Sequence, residues 1–291
     1  MKYEKNKQAL EKRMDYQFYL AQKIFRENRK KEPCWLTYHN LGVFYLYEGL
    51  FTRTNKNYKV DYLAYYNLMQ ALHFQQSELT LCALGTYLYW KKRYSAASTY
   101  FIKAYEMNPY NMEACYNGAL CFYNSCQYKE AVQCITSMLD YLNFEVNWNQ
   151  VWILLAYAML YYNRYQYKTE IHKIVQNHLQ EIEMCCFQLE YLIDNVLEAQ
   201  KYLKQAQDDT YGDIYESALF IDYYIKIGAK KGAQVILDQC VEDVTHMEKR
   251  YKRLEIKKIN KIFDDEKKRK SYILTYKKSF MPVKQWLYAE R

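Results

Sequence analysis

The residues that could do chemistry in this 291-residue sequence are five histidines, nine cysteines and a few paired aspartates. His172 and His178 lie six positions apart, which places them on different faces of a helix, and no cysteine or carboxylate completes a ligand set at metal spacing. The adjacent Cys185 and Cys186 have no basic neighbour that would favour the reactive thiolate. No glycine-rich stretch has the spacing of a phosphate-binding loop. The sequence therefore predicts a protein that is not an enzyme and that has no metal and no cofactor.

The elements that would position any binding side chains are repeated helices. Within residues 84–109, small and large residues follow a fixed order, which is Leu84-Gly85, Leu88, Ala97, Phe101, Ala104 and Pro109. When the sequence is aligned with itself at a shift of 34 residues, each position tested keeps its size class. Ala119 aligns with Gly85, Phe122 with Leu88, Ala131 with Ala97 and Ile135 with Phe101. Residues 78–111 and 112–145 are therefore predicted to be consecutive repeats.

This order of residues resembles the helix–turn–helix unit of the tetratricopeptide repeat family, in which two helices touch closely where glycine and alanine lie. A third unit fits from about Asn149, an upstream unit fits around Gly42 and Ala64, and a degenerate unit fits around Ala233. The upstream unit exceeds the normal spacing by about ten residues, which indicates a long loop or an extended pair of helices. The stretch 181–207 is helical by composition but does not fit the pattern.

The resemblance implies an all-α fold, an α-α superhelix (a TPR-like solenoid) with an N-terminal helix and a basic C-terminal helical tail. We expect four segments. They are an N-terminal helix at 1–32, TPR-like repeats at 33–180, a helical extension with a degenerate repeat at 181–245, and a basic amphipathic helix and tail at 246–291.

Composition places the chain in a reducing compartment. The cysteine count is odd and no Cys-x-x-Cys occurs, which argues against a disulfide framework. The N-terminus has scattered charges and no apolar core run, so it does not resemble a signal peptide. No stretch of about 18 uncharged apolar residues predicts a membrane span. We therefore expect a cytoplasmic protein.

Charge is unevenly distributed. Residues 1–32 hold ten Lys or Arg and five Asp or Glu, residues 33–245 hold sixteen and twenty-two, and residues 246–291 hold fifteen and six. The basic tail residues are Lys249, Arg250, Lys252, Arg253, Lys257, Lys258, Lys267, Lys268, Arg269 and Lys270. Three interpretations stay open for this tail: a cap on the last repeat, a contact with nucleic acid or an anionic membrane, or docking on the acidic body.

In the tetratricopeptide family the first helix of each pair lines a concave groove. The resemblance therefore implies a groove of aromatic and weakly polar side chains, nearly free of cations. Its candidate peptide-binding residues are His39, Asn40, Val43, Thr86, Tyr89, Trp90, Tyr116, Asn117, Leu120, Tyr123 and Tyr157. No lysine or arginine occupies the places of the clamp with which some members of the family hold a free carboxylate. An apolar or tyrosine-compatible peptide, or a partner helix, suits this groove better. The alternative is that the groove is filled by the chain's own N-terminal helix or C-terminal tail.

The leading hypothesis is a non-enzymatic protein–protein interaction module or scaffold that binds a peptide or helix of a partner in the groove. One alternative is a nucleic-acid-associated regulator that uses the basic C-terminal helix. Another is a secretion or assembly chaperone. The sequence leaves the partner's identity and the formation of homo-oligomers open.

Overall fold

The computed structural model describes residues 2–14, 17–51, 58–142, 148–208, 214–243, 256–257, 259–261 and 263–275. The regular secondary structure of these residues is α-helical, and it contains no strand. Seven glycines and three prolines leave few residues that would interrupt a helix. The prediction of an all-α chain is confirmed.

The described residues fall into two compact units. The first unit lies within residues 2–142, and the second lies within residues 148–275. The helices of the first unit are α1 (Lys2–Met14), α2 (Phe18–Lys31), α3 (Trp35–Phe51), α4 (Tyr58–Phe74), α5 (Glu78–Trp90), α6 (Tyr94–Met107), α7 (Met112–Asn124) and α8 (Tyr128–Tyr141). The helices of the second unit are α9 (Asn149–Asn163), α10 (Lys168–His178), α11 (Glu183–Leu192), α12 (Val196–Asp208), α13 (Ile214–Lys226), α14 (Lys230–Asp243) and α15 (Glu266–Thr275).

Glycine allows the helices of a pair to approach each other closely. A Cβ added at Gly85 of α5 would lie 2.9 Å from the ring of Phe101 on α6, and one added at Gly42 of α3 would lie 2.8 Å from Leu68 on α4. Both distances are too short for a carbon contact, so a side chain at either position would push the pair apart. Phe101 and Leu68 are fully buried in these contacts.

The N-terminal segment differs from the single helix that the sequence predicts. It forms two helices, α1 and α2, which pack against each other with Gln17 as the N-cap of α2. Ala9 and Leu10 of α1 belong to the same buried cluster as Ala21 and Phe25 of α2. Folding back removes these apolar side chains from water, which a single continuous helix would leave exposed on one face.

The extra residues of the upstream unit lengthen its helices. Both α3 and α4 have 17 residues, whereas α5 and α6 have 13 and 14. Of the two interpretations of the added sequence, extended helices account for most of it. Residues 52–57 lie outside the described part of the chain.

The turns inside four helix pairs share one backbone geometry. Each contains one residue in the left-handed region, and the N–H of the next residue donates to the carbonyl five positions earlier, as Arg93 does to Leu88 at 2.9 Å. This is the Schellman arrangement that ends a helix. The left-handed residues are Lys92 (φ 58°), Cys126 (φ 62°), Asp194 (φ 60°) and Gly228 (φ 79°). They are separated by 34, 68 and 34 residues, so one 34-residue frame runs through these turns.

This frame includes the stretch 181–207 that the sequence pattern does not fit. The helices α11 and α12 form a pair whose turn and fully buried Ala199 match the turn and alanine of the next pair, where Ala233 is equally buried. The pattern failed here because Phe187 stands where α5 has Gly85. The irregular pair is α9 and α10. Its turn comes later, and Arg164 at the end of α9 is right-handed helical.

We expect Gly85→Ala to lower the free energy of unfolding by about 1 kcal/mol. Overpacking costs ~1–3 kcal/mol, and the better helix propensity of alanine returns about 1 kcal/mol of it. Urea unfolding of Gly85→Ala, Phe101→Leu and the double variant measures the effect. Because leucine lacks two of the atoms that crowd the new Cβ, the alanine should cost less in the double variant. A more stable Gly85→Ala protein would contradict the close-contact role of this glycine.

We expect Lys92→Gly to stabilise the chain and Gly228→Ala to destabilise it, each by roughly 1 kcal/mol, because the left-handed conformation strains residues that have a Cβ. The matched control is Lys91→Gly. Lys91 has φ −81°, where glycine brings no relief and costs backbone entropy, and its loss also removes an exposed ion pair with Asp61 that contributes at most about 1 kcal/mol. Thermal unfolding of the three variants distinguishes them. Equal effects of glycine at positions 91 and 92 would argue against strain at position 92.

Candidate functional site

The predicted groove residues of the first unit lie on the first helices of its pairs, α3, α5 and α7, and most of them are buried. His39, Val43, Leu120 and Tyr123 have no exposed surface, and Asn40, Tyr116 and Asn117 are equally enclosed. Tyr89 is 8% exposed, Thr86 is half-buried and Trp90 is 41% exposed. Of the predicted set on α3, α5 and α7, only Thr86 and Trp90 are therefore accessible to a partner.

Polar contacts connect the first helices of neighbouring pairs. His39 Nδ1 on α3 lies 3.1 Å from Thr80 Oγ1 on α5, in a buried position. Asn124 at the end of α7 donates from Nδ2 to the hydroxyl of Tyr89 on α5 at 3.1 Å. Burial and the nearby Tyr94 raise the pKa of Tyr89 to about 12, so its hydroxyl is neutral. Two of the predicted groove residues thus hold adjacent repeats together.

Helix α7 of the first unit is enclosed on every face. From Ala114 to Cys121, every residue of α7 is buried, whichever face of the helix it occupies. A first helix has neighbours on three sides, namely its own pair partner and the two adjacent repeats, and its fourth side faces the groove. Burial all round means that this fourth side is enclosed too.

Tyr157 lies on α9, in the second unit. It is buried, and its hydroxyl donates to Oε1 of Gln188 on α11. All residues from Val151 to Leu160 of α9 are likewise buried. Tyr157 therefore links two repeats of the second unit and is not accessible.

A buried carboxylate in the second unit was not identified from the sequence. Glu190 of α11 has no exposed surface, and its two oxygens lie 2.7 Å from His172 Nδ1 and 2.7 Å from Asn195 Nδ2. In the sequence, His172 stands out only as a residue that could bind a metal ion. The histidine instead satisfies a buried acid, which would otherwise be strongly destabilising.

A cavity of about 360 Å³ in the second unit is bordered by α11, α13 and α15. Asp222 is one of the residues that line it. It accepts from the hydroxyl of Tyr191 at 2.6 Å and from Nε of Arg269 at 2.7 Å, and Arg269 also donates to the carbonyl of Phe263 at 2.9 Å. Arg269 is only 2% exposed. These groups hold α15 on α13.

The prediction that Arg269 belongs to an exposed basic tail is wrong. Its side chain is buried and paired with Asp222, so it is not available to phosphate. Lys257, Lys267, Lys268 and Lys270 are exposed, with Lys268 and Lys270 paired to Asp265 and Glu266. The other predicted tail cations lie outside the described residues, and they are Lys249, Arg250, Lys252, Arg253 and Lys258.

The apolar residues of the same region pack on the last pair. Ile259 is buried against Leu237 and Cys240 of α14, and Ile256 and Phe263 are half-buried at the edge of this cluster. Burial of an apolar face with lysines outside it matches the first of the three interpretations of the tail, a cap on the last repeat.

Neither a metal centre nor a membrane helix emerges from the described part of the chain. No group of three or more His, Cys, Asp or Glu side chains there is arranged to hold a metal ion. Among the helices of those residues, none combines the length and apolarity that crossing a bilayer requires.

The geometry defines a class of protein, which is an all-helical repeat protein built from consecutive helix pairs. Solved structures identify the fold more closely. A tetratricopeptide repeat protein from Parabacteroides merdae is 14% identical, with 89% of this chain and 99% of that chain covered and a TM-score of 0.57. PilF from Pseudomonas aeruginosa is also 14% identical, with 89% and 96% covered and a TM-score of 0.51.

A third similar structure is that of Naa15/Naa10 bound to HypK-THB, at 15% identity with 93% of this chain and 41% of that chain covered and a TM-score of 0.50. No model of a known protein family matches the sequence, and no characterised protein matches it at the sequence level. The chain therefore has the tetratricopeptide-type fold, as its sequence predicts.

We expect Arg269→Ala to lower the free energy of unfolding by about 2–3 kcal/mol, because it leaves the carboxylate of Asp222, whose side chain is only 13% exposed, without its cation. Lys268→Ala is the matched control on the same helix. It removes an exposed lysine and should change the stability by no more than about 0.5 kcal/mol. Replacing Arg269 by Met and Asp222 by Leu together should recover part of the loss, since no charge then remains buried. Equal costs at positions 268 and 269 would contradict the anchoring role.

Proposed function

We propose that this chain is a non-enzymatic protein-interaction scaffold that binds a peptide or helix of a partner protein along the first helices of its repeats. The observation that supports this most directly is the enclosure of α7. The side chains of α7, which include the predicted groove residues Tyr116 and Leu120, pack against other side chains on every face of the helix. A surface that packs in this way has the aromatic and hydrogen-bonding character that a partner segment needs.

The similar structures agree with this proposal at the level of the fold. Proteins of this architecture are repeat arrays that present extended surfaces. In one of them, Naa15/Naa10 is bound to a further protein, HypK-THB. From that complex we carry over only the kind of interaction, which is the binding of a protein. The partner that we propose for this chain is therefore a protein or peptide.

The accessible entrance to the groove lies on α5. Thr86 and Trp90 are four residues apart on this helix, so they share one face. The ring of Trp90 stands edge-on to that of Tyr89, 6.1 Å between centroids, and Tyr89 continues into the buried contact with Asn124. A partner would first contact Trp90 and Thr86. It would reach the enclosed residues Tyr116 and Leu120 only if the packing around α7 opened.

The test uses a photo-crosslinking amino acid in place of Trp90 or Thr86, with Tyr62 as the control position. Tyr62 is 63% exposed on α4, which is a second helix and lies outside the predicted groove. We expect one protein to crosslink from positions 86 and 90 but not from position 62, and mass spectrometry of the crosslinked peptides gives the bound segment. Crosslinking from position 62 alone, or from all three positions equally, would rule out the groove.

With the identified segment as a synthetic peptide, we expect Trp90→Ala to weaken binding about tenfold or more, because large aromatic anchors dominate such interfaces. Tyr62→Ala, which also removes an exposed aromatic ring, should leave the dissociation constant within about twofold. Isothermal titration measures both variants. Equal losses for the two would mean that position 90 is not an anchor.

A further inference from the structure

Two cysteines face each other across the helix pair α7–α8. Sγ of Cys115 on α7 lies 3.3 Å from Sγ of Cys134 on α8. The contact is nearly symmetric. Cys115 Sγ approaches the carbonyl of Cys134 at 3.5 Å, and Cys134 Sγ approaches the carbonyl of Cys115 at 3.7 Å. A disulfide has its sulfurs about 2.05 Å apart, so an approach of about 1.2 Å would join them.

The two thiols differ in accessibility. Cys115 is fully buried, whereas Cys134 is half-buried, so a small solute would approach the pair from the side of Cys134. The contact with Cys134 and burial both raise the pKa of the Cys115 thiol. The more accessible sulfur is thus the entry point for an oxidant, and the enclosed sulfur is positioned to react second.

We propose that Cys115 and Cys134 form a redox-modification site, at which a peroxide converts the dithiol into a disulfide that links the two helices of one repeat. Sγ of Cys134 attacks the peroxide, so that an S–O bond forms, the O–O bond breaks and one water leaves. Sγ of Cys115 then attacks the sulfenic acid of Cys134. The S–S bond forms, and the hydroxyl takes up the proton of Cys115 and leaves as a second water. Two thiols are oxidised by two electrons, and one hydrogen peroxide is reduced to two waters.

The bond would add a covalent link between the facing sides of α7 and α8. Cys115 precedes Tyr116 and Asn117, so the crosslink would fix the helix that carries these enclosed residues to its pair partner. Closing a chain segment of about 20 residues restricts the unfolded state. The inference rests on the Cys115–Cys134 geometry and does not depend on the proposed function.

The experiment treats the native full-length chain with hydrogen peroxide, unfolds it, alkylates the remaining thiols and maps the peptides by mass spectrometry. A Cys126→Ser background removes the exposed cysteine of the turn between the same helices. We expect a peptide pair joined through Cys115 and Cys134, with the loss of two hydrogens and two fewer alkylated thiols. Dithiothreitol should reverse the change. The oxidised protein should unfold at a temperature roughly 5–10 °C higher than the reduced protein.

Cys134→Ala is the control variant, because the replaced residue is half-buried and alanine favours the helix. It should abolish the crosslink and the shift in unfolding temperature. The proposal is overturned if Cys115 and Cys134 are both alkylated after peroxide has oxidised Cys126 in the unmodified sequence. It is equally overturned if Cys134 advances to the sulfinic acid or joins any cysteine other than Cys115.

Discussion

The close contact between a small residue on one helix and a bulky residue on its pair partner is the constraint on which the rest of the structure depends. Gly85 lets α5 approach until the ring of Phe101 fills the space that a Cβ would need. Gly42 and Leu68 repeat the arrangement one pair earlier. The approach brings whole helix faces within packing distance, so that residues along both helices lose their contact with water. A pair held at a larger separation could not enclose the rest of its first helix.

The second constraint is that buried polar groups must be satisfied inside a helical array. Where one pair meets the next, the contacts are specific: Tyr89 with Asn124 in the first unit, and Glu190 with His172 in the second. Such contacts cost little only when both partners are present, because an unpaired buried group keeps its full desolvation penalty. They therefore favour one arrangement of the repeats over slipped alternatives. Several residues that a sequence pattern would assign to ligand binding have this structural role instead.

Local pattern was enough to predict the fold in places and not in others. Residues 78–145 could be assigned because Gly85 and Ala119 keep the size pattern of the contact positions. Residues 181–207 could not be assigned, because Phe187 breaks this pattern. The remaining signal is Ala199, at the position where the second helices have their buried alanine, and it is one small residue among many helix formers. The turns that repeat every 34 residues share a left-handed backbone residue, and three of the four residues in that conformation are not glycine. Composition does not reveal such turns.

The candidate site also has features that the sequence predicts and features that it does not. Within residues 78–145, the sequence by itself determined the helix pairs, their 34-residue repeat and the side chains on the first helices, because these follow from spacing and size along a short stretch of chain. Only the tertiary structure decided that Tyr116 is enclosed while Trp90 is exposed, that Arg269 is an interior anchor, and that Cys115 meets Cys134. Burial and pairing depend on what packs against a residue from elsewhere in the chain. A periodic pattern records which face a side chain occupies, and it carries no information about what covers that face.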